Sequence, residues 1–188
     1  MEAIRVFYEQ EFGIGPEDWA MFSSKLHRQE FSKKAPILRA GKVENYLSFI
    51  EKGLVRFYIP QVEQDLTFGF AFAGNFVSAY DSFLTQEPAT YTIETLSETV
   101  LWRISYEDLQ MIYTETKVGN LIGRRASEEL FLKKSKRELA LLHESAETRY
   151  LKLFEDRPEL IEKIPLKYIA SYIGVTPQAL SRIRKRIS

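Results

Sequence analysis

The spacing of the apolar residues changes near Ser105, and this change constrains the fold more than any other feature of the sequence. Before Ser105, several segments alternate apolar and polar residues, which is typical of β-strands with one buried face. After Ser105, apolar residues recur at steps of three and four, which is typical of amphipathic helices. Strands that precede helices, rather than alternating with them, predict an α+β chain.

The β-rich part is predicted to be an antiparallel jelly-roll domain over residues 1–105, beginning with helices at residues 3–11 and 16–27. The segment YLSFIEKGLVRFYIP predicts two strands joined by a turn at Lys52-Gly53. DLTFGFAF predicts one further strand, and YTIETLSETVLWRI predicts two more. Glycines separate these segments at the spacing of a many-stranded sandwich or barrel.

From Tyr106 to about Lys136 the sequence has no proline and predicts one long helix, or two in tandem. Its apolar stripe either packs on its own domain or forms a dimer interface. We favour the dimer interface, because a helix that links two domains has little intrachain surface to cover its stripe. A further helix is predicted over residues 137–155, before Pro158. The predicted dimerisation stripe consists of Val118, Leu121, Ile122, Ala126 and Leu130.

The formal net charge of the chain is zero, but the charges are segregated along the sequence. From Lys163 onward there are six cations and no acid, and four of the cations fall in the last seven residues. Such a basic segment indicates a nucleic-acid partner. The alternative is a solvated helix end whose cations are favoured by the helix dipole, which accounts for one or two of them.

The last 25 residues predict two short helices joined by a tight turn. LKYIASYIG has helical apolar spacing and ends at Gly174, which allows the positive φ of a helix exit. Thr176 is a good amino-terminal cap, and Pro177 occupies the first helical position, where its missing N–H costs nothing. Two helices with a glycine-containing turn predict a helix-turn-helix motif within residues 137–188.

The second of these helices is predicted to be two-sided. Its period places Leu180, Ile183 and Ile187 on one face, and polar and basic side chains on the opposite face. In a helix-turn-helix the second helix enters the DNA major groove, where arginine and glutamine recognise base edges. The predicted base-contacting residues are Gln178, Ser181 and Arg182, and the predicted phosphate-contacting residues are Thr176, Lys185, Arg186 and Lys167.

Two strings, SAETRYLKLFEDRPEL and PLKYIASYIGVTPQALSRIR, resemble the helix-turn-helix region of the Crp/Fnr transcription regulators, in the shorter bacterial branch of that family. A weaker resemblance extends over residues 16–110 through LRAG, YLSFIEKGLVRFY, GNFVSAYDSF and LWRISYEDL. It implies a cyclic-nucleotide-binding-like jelly roll, a dimerisation helix over residues 106–136 and a carboxy-terminal winged helix-turn-helix over residues 137–188.

The resemblance also implies partners and contact residues. It implies a homodimer on a two-fold symmetric site in double-stranded DNA, RNA polymerase as a further partner, and an effector that stays unknown. The base-contacting positions of the family fall on Pro177, Gln178 and Arg182, and the phosphate-contacting cap falls on Thr176. Because a proline cannot donate a hydrogen bond to a base, specificity is expected to rest on Gln178, Arg182 and Ser181.

The predicted sensor domain departs from the relatives that bind cyclic AMP. In those relatives, a glutamate shortly after a glycine holds the ribose, and an arginine before the next strand neutralises the phosphate. Here the glycine is Gly74, and the two positions read Asn75 and Ala89. A buried phosphate without a cation is strongly disfavoured, so we expect no cyclic-AMP binding of the usual kind.

The candidates for a ligand pocket are Gly74, Asn75, Phe76, Ala89 and Thr90. For the aromatic residues Phe72, Phe76, Tyr80 and Phe83, core packing is the preferred interpretation and a ligand cavity is the alternative.

Several other classes of function are disfavoured by composition. The chain has no cysteine, which excludes disulfides, thiol nucleophiles and iron–sulfur clusters. Its two histidines, His27 and His143, have neither metal nor triad spacing, so we expect no catalytic residue, metal or cofactor. No segment has the pattern of a signal peptide or a membrane span, and the cytoplasm is the expected location. Two alternatives remain: a regulator that binds DNA without any effector, and a small-molecule-binding module whose helical tail contacts proteins.

Overall fold

A computed structural model describes residues 1–187 of the chain. The described chain divides into two compact units. The first comprises residues 1–60 and 69–127, and the second comprises residues 61–68 together with the helical part from residue 128 onward. None of the helices in residues 1–187 combines the length and the apolar content of a membrane span.

Strands dominate the first unit, with helices at its beginning and end. The elements up to Glu115 are α1 (Glu2–Phe12), α2 (Pro16–Ser24), β1 (His27–Phe31), β2 (Pro36–Leu38), β3 (Tyr46–Lys52), β4 (Leu54–Ile59), β5 (Leu66–Phe72), β6 (Phe76–Val77), α3 (Tyr80–Thr85), β7 (Thr92–Thr95), β8 (Thr99–Ser105) and α4 (Tyr106–Glu115). The strands form two four-stranded sheets, in the orders β1-β8-β3-β6 and β2-β7-β4-β5. The first three residues of β5 are assigned to the second unit.

The strand pairing confirms the α+β class and the antiparallel β part. β8 lies between β1 and β3 and is antiparallel to both, and β7 is antiparallel to β2 and β4. The five predicted strands are present as β3, β4, β5, β7 and β8. The predicted helix over residues 16–27 is shorter, because α2 ends at Ser24 and His27 begins β1. Three short strands, β1, β2 and β6, were not predicted, and neither was the short helix α3.

Aromatic packing joins the amino-terminal helices to the first sheet. Tyr8 lies edge-on to Phe22, with 4.8 Å between ring centroids, and Phe7 lies edge-on to Phe76 at 5.7 Å. Ile104 of β8 is buried in the same cluster. Such edge-on aromatic pairs add to the stabilisation from the buried apolar area. The helices therefore cover one face of this sheet.

The helical segments after Ser105 differ in part from the predicted ones. α4 ends at Glu115, Thr116 is extended, and the next helix, α5 (Gly119–His143), begins at Gly119. Of the two predicted alternatives, the structure therefore has two helices in tandem. The predicted helix over 137–155 was wrong: α5 continues to His143, and Ser145 caps a new helix through its Oγ. The remaining elements are α5 (Gly119–His143), α6 (Ala146–Asp156), α7 (Pro158–Lys163), α8 (Leu166–Tyr172) and α9 (Pro177–Ile187).

The described residues after Ser105 contain no strand. The wing that the resemblance implies therefore stays a prediction. The domain boundaries predicted at 105/106 and 136/137 also stay predictions. Along the sequence, the division between the two compact units falls after Ser127, within α5.

Candidate nucleic-acid interface

The turn between α8 and α9 has the conformation expected from its glycine. Gly174 has a φ of +79°, in the left-handed region that favours glycine. The N–H of Gly174 donates to the carbonyl of Ser171, and the N–H of Val175 donates to the carbonyl of Ala170. These bonds satisfy carbonyls at the end of α8 and turn the chain into the next helix.

Thr176 and the apolar residues of both helices fix the start and the orientation of α9. The N–H of Ala179 donates to Thr176 Oγ1 at 3.2 Å, which is the bond of an amino-terminal cap. Ile169 and Ala170 of α8 are fully buried, as is Leu180 of α9. One face of α9 is therefore packed inside its unit, as predicted.

The opposite face of α9 carries the predicted base-contacting residues. Gln178, Ser181, Arg182 and Lys185 are all exposed. Within residues 1–187, the side chains of Gln178, Arg182 and Lys185 make no hydrogen bond or ion pair. Exposed donors on one helix face suit the recognition of base edges and phosphates in a groove that admits a helix.

Two of the predicted phosphate-contacting residues already have partners. Arg186 makes an ion pair with Glu147 of α6, although its side chain is largely exposed. The ammonium group of Lys167 lies 4.9 Å from the centroid of the Tyr168 ring. Both side chains are exposed, so their contacts with phosphate stay predictions.

Three consecutive residues at the carboxyl end of α8 are held by different segments of the second unit. The Oγ of Ser171 accepts from the N–H of Thr67 at 2.8 Å and donates to the carbonyl of Asp65. The carbonyls of Tyr172 and Ile173 accept from Arg137 and Arg149. The end of the first helix of the motif is therefore anchored immediately before the turn.

Sequence reasoning missed these anchoring residues, Arg137, Arg149 and Ser171. Arg149 lies inside the string SAETRY, which carries part of the family resemblance. The resemblance therefore drew attention to this segment but did not indicate what Arg149 does. Ser171 follows two residues of an apolar helix face, and a polar residue buried at such a position needs a partner. The partners lie 24 to 106 residues away along the chain, where spacing gives no information.

The predicted dimerisation stripe divides in the structure. Ile122 is buried in the core of the first unit and Val118 packs against that core, so these two follow the intrachain interpretation. Leu121 and Leu130 are half-buried, and Ala126 is exposed. The second half of α5 exposes a set of large apolar side chains that the prediction omitted, which are Phe131, Leu132, Leu139, Leu141 and Leu142.

The pocket candidates lie in two separate backbone segments. Gly74 and Asn75 form the turn between β5 and β6, where Asn75 Oδ1 accepts from the N–H of Phe72. Ala89 is buried, and its N–H and carbonyl bond to Lys42 and Gly41. Both segments are thus fastened by hydrogen bonds within the chain.

The other two candidates lie in different surroundings. Thr90 is exposed. The half-buried ring of Phe76 packs against Phe7, Tyr8 and Phe49 next to α1, and its assignment to a ligand pocket stays a prediction. Phe83 is buried in the same cluster, in agreement with the core-packing interpretation of these aromatic residues.

The buried residue Glu44 is hydrogen-bonded to the segment that lies between Asn75 and Ala89. Glu44 is 2% exposed, and its carboxylate accepts from the N–H groups of Tyr46 and Ala79 and lies 3.8 Å from the Arg103 guanidinium. Its own N–H donates to Ser82 Oγ at 3.0 Å. Burial raises the pKa of the Glu44 carboxyl above its usual value, against the opposing effect of these donors.

Comparison with known families assigns the β part. Residues 28–116 match the family model of the cyclic nucleotide-binding domain. Residues 28–116 are therefore similar to cyclic nucleotide-binding domains. The matched residues begin at the second residue of β1 and end at Thr116, so they contain the rest of β1, the strands β2–β8, α3 and α4.

Solved structures share the fold of the cyclic nucleotide-binding domain and of the helices that follow it. The c-di-GMP responsive global regulator CLP of Xanthomonas campestris is 19% identical, with a TM-score of 0.71 over 92% of this chain and 91% of CLP. FixK2 of Bradyrhizobium japonicum is 13% identical, with a TM-score of 0.71 over 86% of this chain and 84% of its own.

A crp/fnr-family transcriptional regulator from Eubacterium rectale is 17% identical, with a TM-score of 0.70 over 93% of this chain and 84% of its own. No curated protein matches the chain by sequence. The domain and the shared fold confirm the resemblance to the Crp/Fnr regulators. CLP and the Eubacterium rectale protein are both named as regulators.

Proposed function

We propose that this chain is a sequence-specific, DNA-binding transcription regulator of the Crp/Fnr type that acts as a homodimer. The observation that carries this proposal is the exposed face of α9, where Gln178, Arg182 and Lys185 have no partner among residues 1–187. A helix held rigidly on its apolar face, with free arginine and glutamine donors on the other, fits the major groove and can form bidentate contacts with bases.

The exposed apolar side chains of α5 support the dimer. Phe131 and Leu142 are 69% and 77% exposed, and Leu139 lies between them along the helix. At 100° per residue, the three fall within one quarter of the helix circumference. An exposed apolar stripe of this kind favours association, and a second copy of the same helix matches it in length and pattern.

The proposed regulator does not bind cyclic AMP in the usual way. Residues 74–90 contain two acids, Asp81 and Glu87, and no lysine or arginine, so nothing in this segment neutralises a phosphate. The Ala79 N–H is already bonded to the buried carboxylate of Glu44. A phosphate placed at this segment would approach that carboxylate, and the nearby Arg103 guanidinium already lies 3.8 Å from Glu44, which makes the placement unfavourable.

Selection of binding sites from a random duplex DNA library tests the proposal. The purified full chain is used without effector, and the selected sites are then titrated at two salt concentrations, with Arg182→Ala as the matched control. We expect a two-fold symmetric consensus with half-sites about one helical turn apart, and an affinity that falls steeply with salt.

A weak, salt-sensitive association without a consensus would contradict binding that needs no effector. If the selection then failed again with cyclic nucleotides and cyclic dinucleotides added, the proposed regulator would be ruled out. In that case a module whose helical tail contacts proteins would be the better explanation.

A further inference from the structure

One guanidinium joins the carboxyl ends of two helices in the second unit. Arg149, in the first turn of α6, donates from Nε to the carbonyl of Ile173 at 2.9 Å, at the end of α8. Its Nη1 donates to the carbonyl of Glu144 and lies 3.5 Å from the carbonyl of Ala140, at the end of α5. The same side chain therefore bonds to both helix ends.

A second arginine strengthens this junction. Arg137 of α5 donates from Nη2 to the carbonyl of Tyr172 at 2.9 Å, and its guanidinium lies 4.2 Å from the centroid of the Tyr172 ring. Burial lowers the pKa of Arg137 below its usual value. Within the described part of the chain, neither Arg137 nor Arg149 has a carboxylate partner. Both cations therefore act on backbone carbonyls.

The chemistry of helix ends explains why an arginine suits this junction. The last carbonyls of a helix lack intrahelical partners and form the negative end of its dipole. A guanidinium is planar and presents several donors in a fixed arrangement, so it can bond to two helix ends at once. A lysine ammonium is a compact charge on a flexible stem and cannot hold the same geometry.

The junction lies directly before the recognition helix. Tyr172 and Ile173 lead into Gly174 and then into the Thr176 cap of α9. At the other end of α9, Arg186 is paired with Glu147, which lies two residues before Arg149 on α6. One turn of α6 therefore contacts both the approach to α9 and its carboxyl end.

We propose that Arg149 is a positioning residue for DNA recognition, which holds the α8–α9 turn at a fixed place relative to the exposed apolar face of α5. This inference rests on the proposed function. If α5 forms the dimer, the geometry of this junction sets the separation of the two α9 helices, and hence the half-site spacing that the dimer prefers.

The test compares Arg149→Lys and Arg149→Met with the wild type, with Lys152→Met as control. Lys152 is an exposed cation on the same helix that pairs with the Glu144 carboxylate, whereas Arg149 bonds to the Glu144 carbonyl. Its removal therefore matches the loss of charge and of a contact with Glu144, but removes no bond to a helix-end carbonyl. Affinities are measured for the selected site, for versions of that site with the half-sites moved by one or two base pairs, and for unrelated DNA.

We expect both Arg149 variants to bind the selected site about tenfold more weakly, as for a lost charge-assisted hydrogen bond. The discrimination between half-site spacings should fall as well, while binding to unrelated DNA and binding by the Lys152 variant stay within about twofold. A folded Arg149→Lys protein that keeps both the affinity and the spacing preference of the wild type would overturn the proposal.

Amide hydrogen exchange gives a second readout that does not depend on DNA. In Arg149→Lys, exchange at residues 174–180 should be about tenfold faster, while exchange in the strands of the first unit should not change. Unchanged exchange at 174–180 would overturn the positioning role. Faster exchange there, in a protein that selects no DNA, would keep the junction and reject the proposed function, so the two failures are distinguishable.

Discussion

At Gly53 the backbone and the surroundings both require glycine. Its φ is +115°, and a Cβ built on it would lie 2.4 Å from Thr99 Oγ1 and 2.7 Å from Thr99 Cα. We expect Gly53→Ala to lower the free energy of unfolding by about 3 kcal/mol, from left-handed strain together with overpacking. Urea denaturation followed by tryptophan fluorescence measures this change, since Trp19 and Trp102 both lie in the first unit.

Gly74→Ala is the matched control for that substitution. Gly74 also has a positive φ, of +87°, but a Cβ there would meet no atom within 4 Å. Its loss should be about 1 kcal/mol, the cost of backbone strain alone. Equal losses in the two variants would show that the contact with Thr99 contributes nothing.

Glu44 should give the first unit a pH dependence of unusual sign. Because burial raises the pKa of its carboxyl, the folded state binds more protons than the unfolded state at this group. Its contribution to stability is then complete below the unfolded pKa of about 4.3 and is lost as pH rises through the folded pKa.

The prediction compares wild type with Glu44→Gln by urea unfolding between pH 4 and pH 7. The free energy of unfolding of wild type relative to the variant should decrease as pH rises, because only wild type titrates at this position. If the difference increased with pH instead, the attraction of Arg103 would outweigh the cost of burial.

The roles of individual residues were predictable where the local backbone conformation determines them. The turn at Gly53 and the cap at Thr176 depend on neighbouring residues, and both are present. Glu44 gave no such signal, since its bond to Ala79 spans 35 residues.

Among the elements, α9 has the clearest division between a packed face and a free one. Arg182→Ala should weaken binding at the selected site by about 1–3 kcal/mol and relax preference at one base pair per half-site, as for a lost bidentate contact. Lys185→Ala should weaken binding to all sequences alike and reduce the salt dependence. Titration of both variants against the selected site and its single-base changes measures this. Unchanged affinity and preference in Arg182→Ala would show that another face reads the DNA.

Long elements with strong periodicity were predicted, and short elements were not. β3, β4, β5, β7 and β8 carry clear alternation, whereas β2 and β6 have only three and two residues. β1 was missed because its HRQEF sequence is mostly polar and exposed. The break between α5 and α6 was also missed, because the cap at Ser145 interrupts a segment that stays helical in composition on both sides.

Across the whole molecule, α5 belongs to both compact units, and this explains why its apolar stripe was misjudged. In the first unit its apolar residues, such as Ile122, are buried in the core of that unit. In the second unit the exposed residues fall on a different side of the helix, beginning at Phe131. The periodicity of the sequence predicts a single apolar stripe along α5. It does not indicate which residues of that stripe are buried against other parts of the same chain.

The proposed dimer predicts the effect of placing charge on that exposed stripe. Leu139→Lys together with Leu142→Lys should weaken dimerisation by at least about 100-fold, because each leucine buried at an interface contributes about 1.5–3 kcal/mol. Sedimentation velocity over a concentration series measures the monomer–dimer equilibrium. Binding to a two-half-site probe should fall in parallel, since a monomer occupies only one half-site.

Leu84→Lys provides the control for this pair. Leu84 is 52% exposed, close to the 54% of Leu139, but it lies on α3 in the first unit. Its replacement adds a cation to an exposed apolar position without touching α5, and should leave both the dimer and DNA binding unchanged. If the α5 variant remained a dimer at the wild-type concentration, the interface would lie on another surface, and the spacing of the α9 helices would depend on that surface instead.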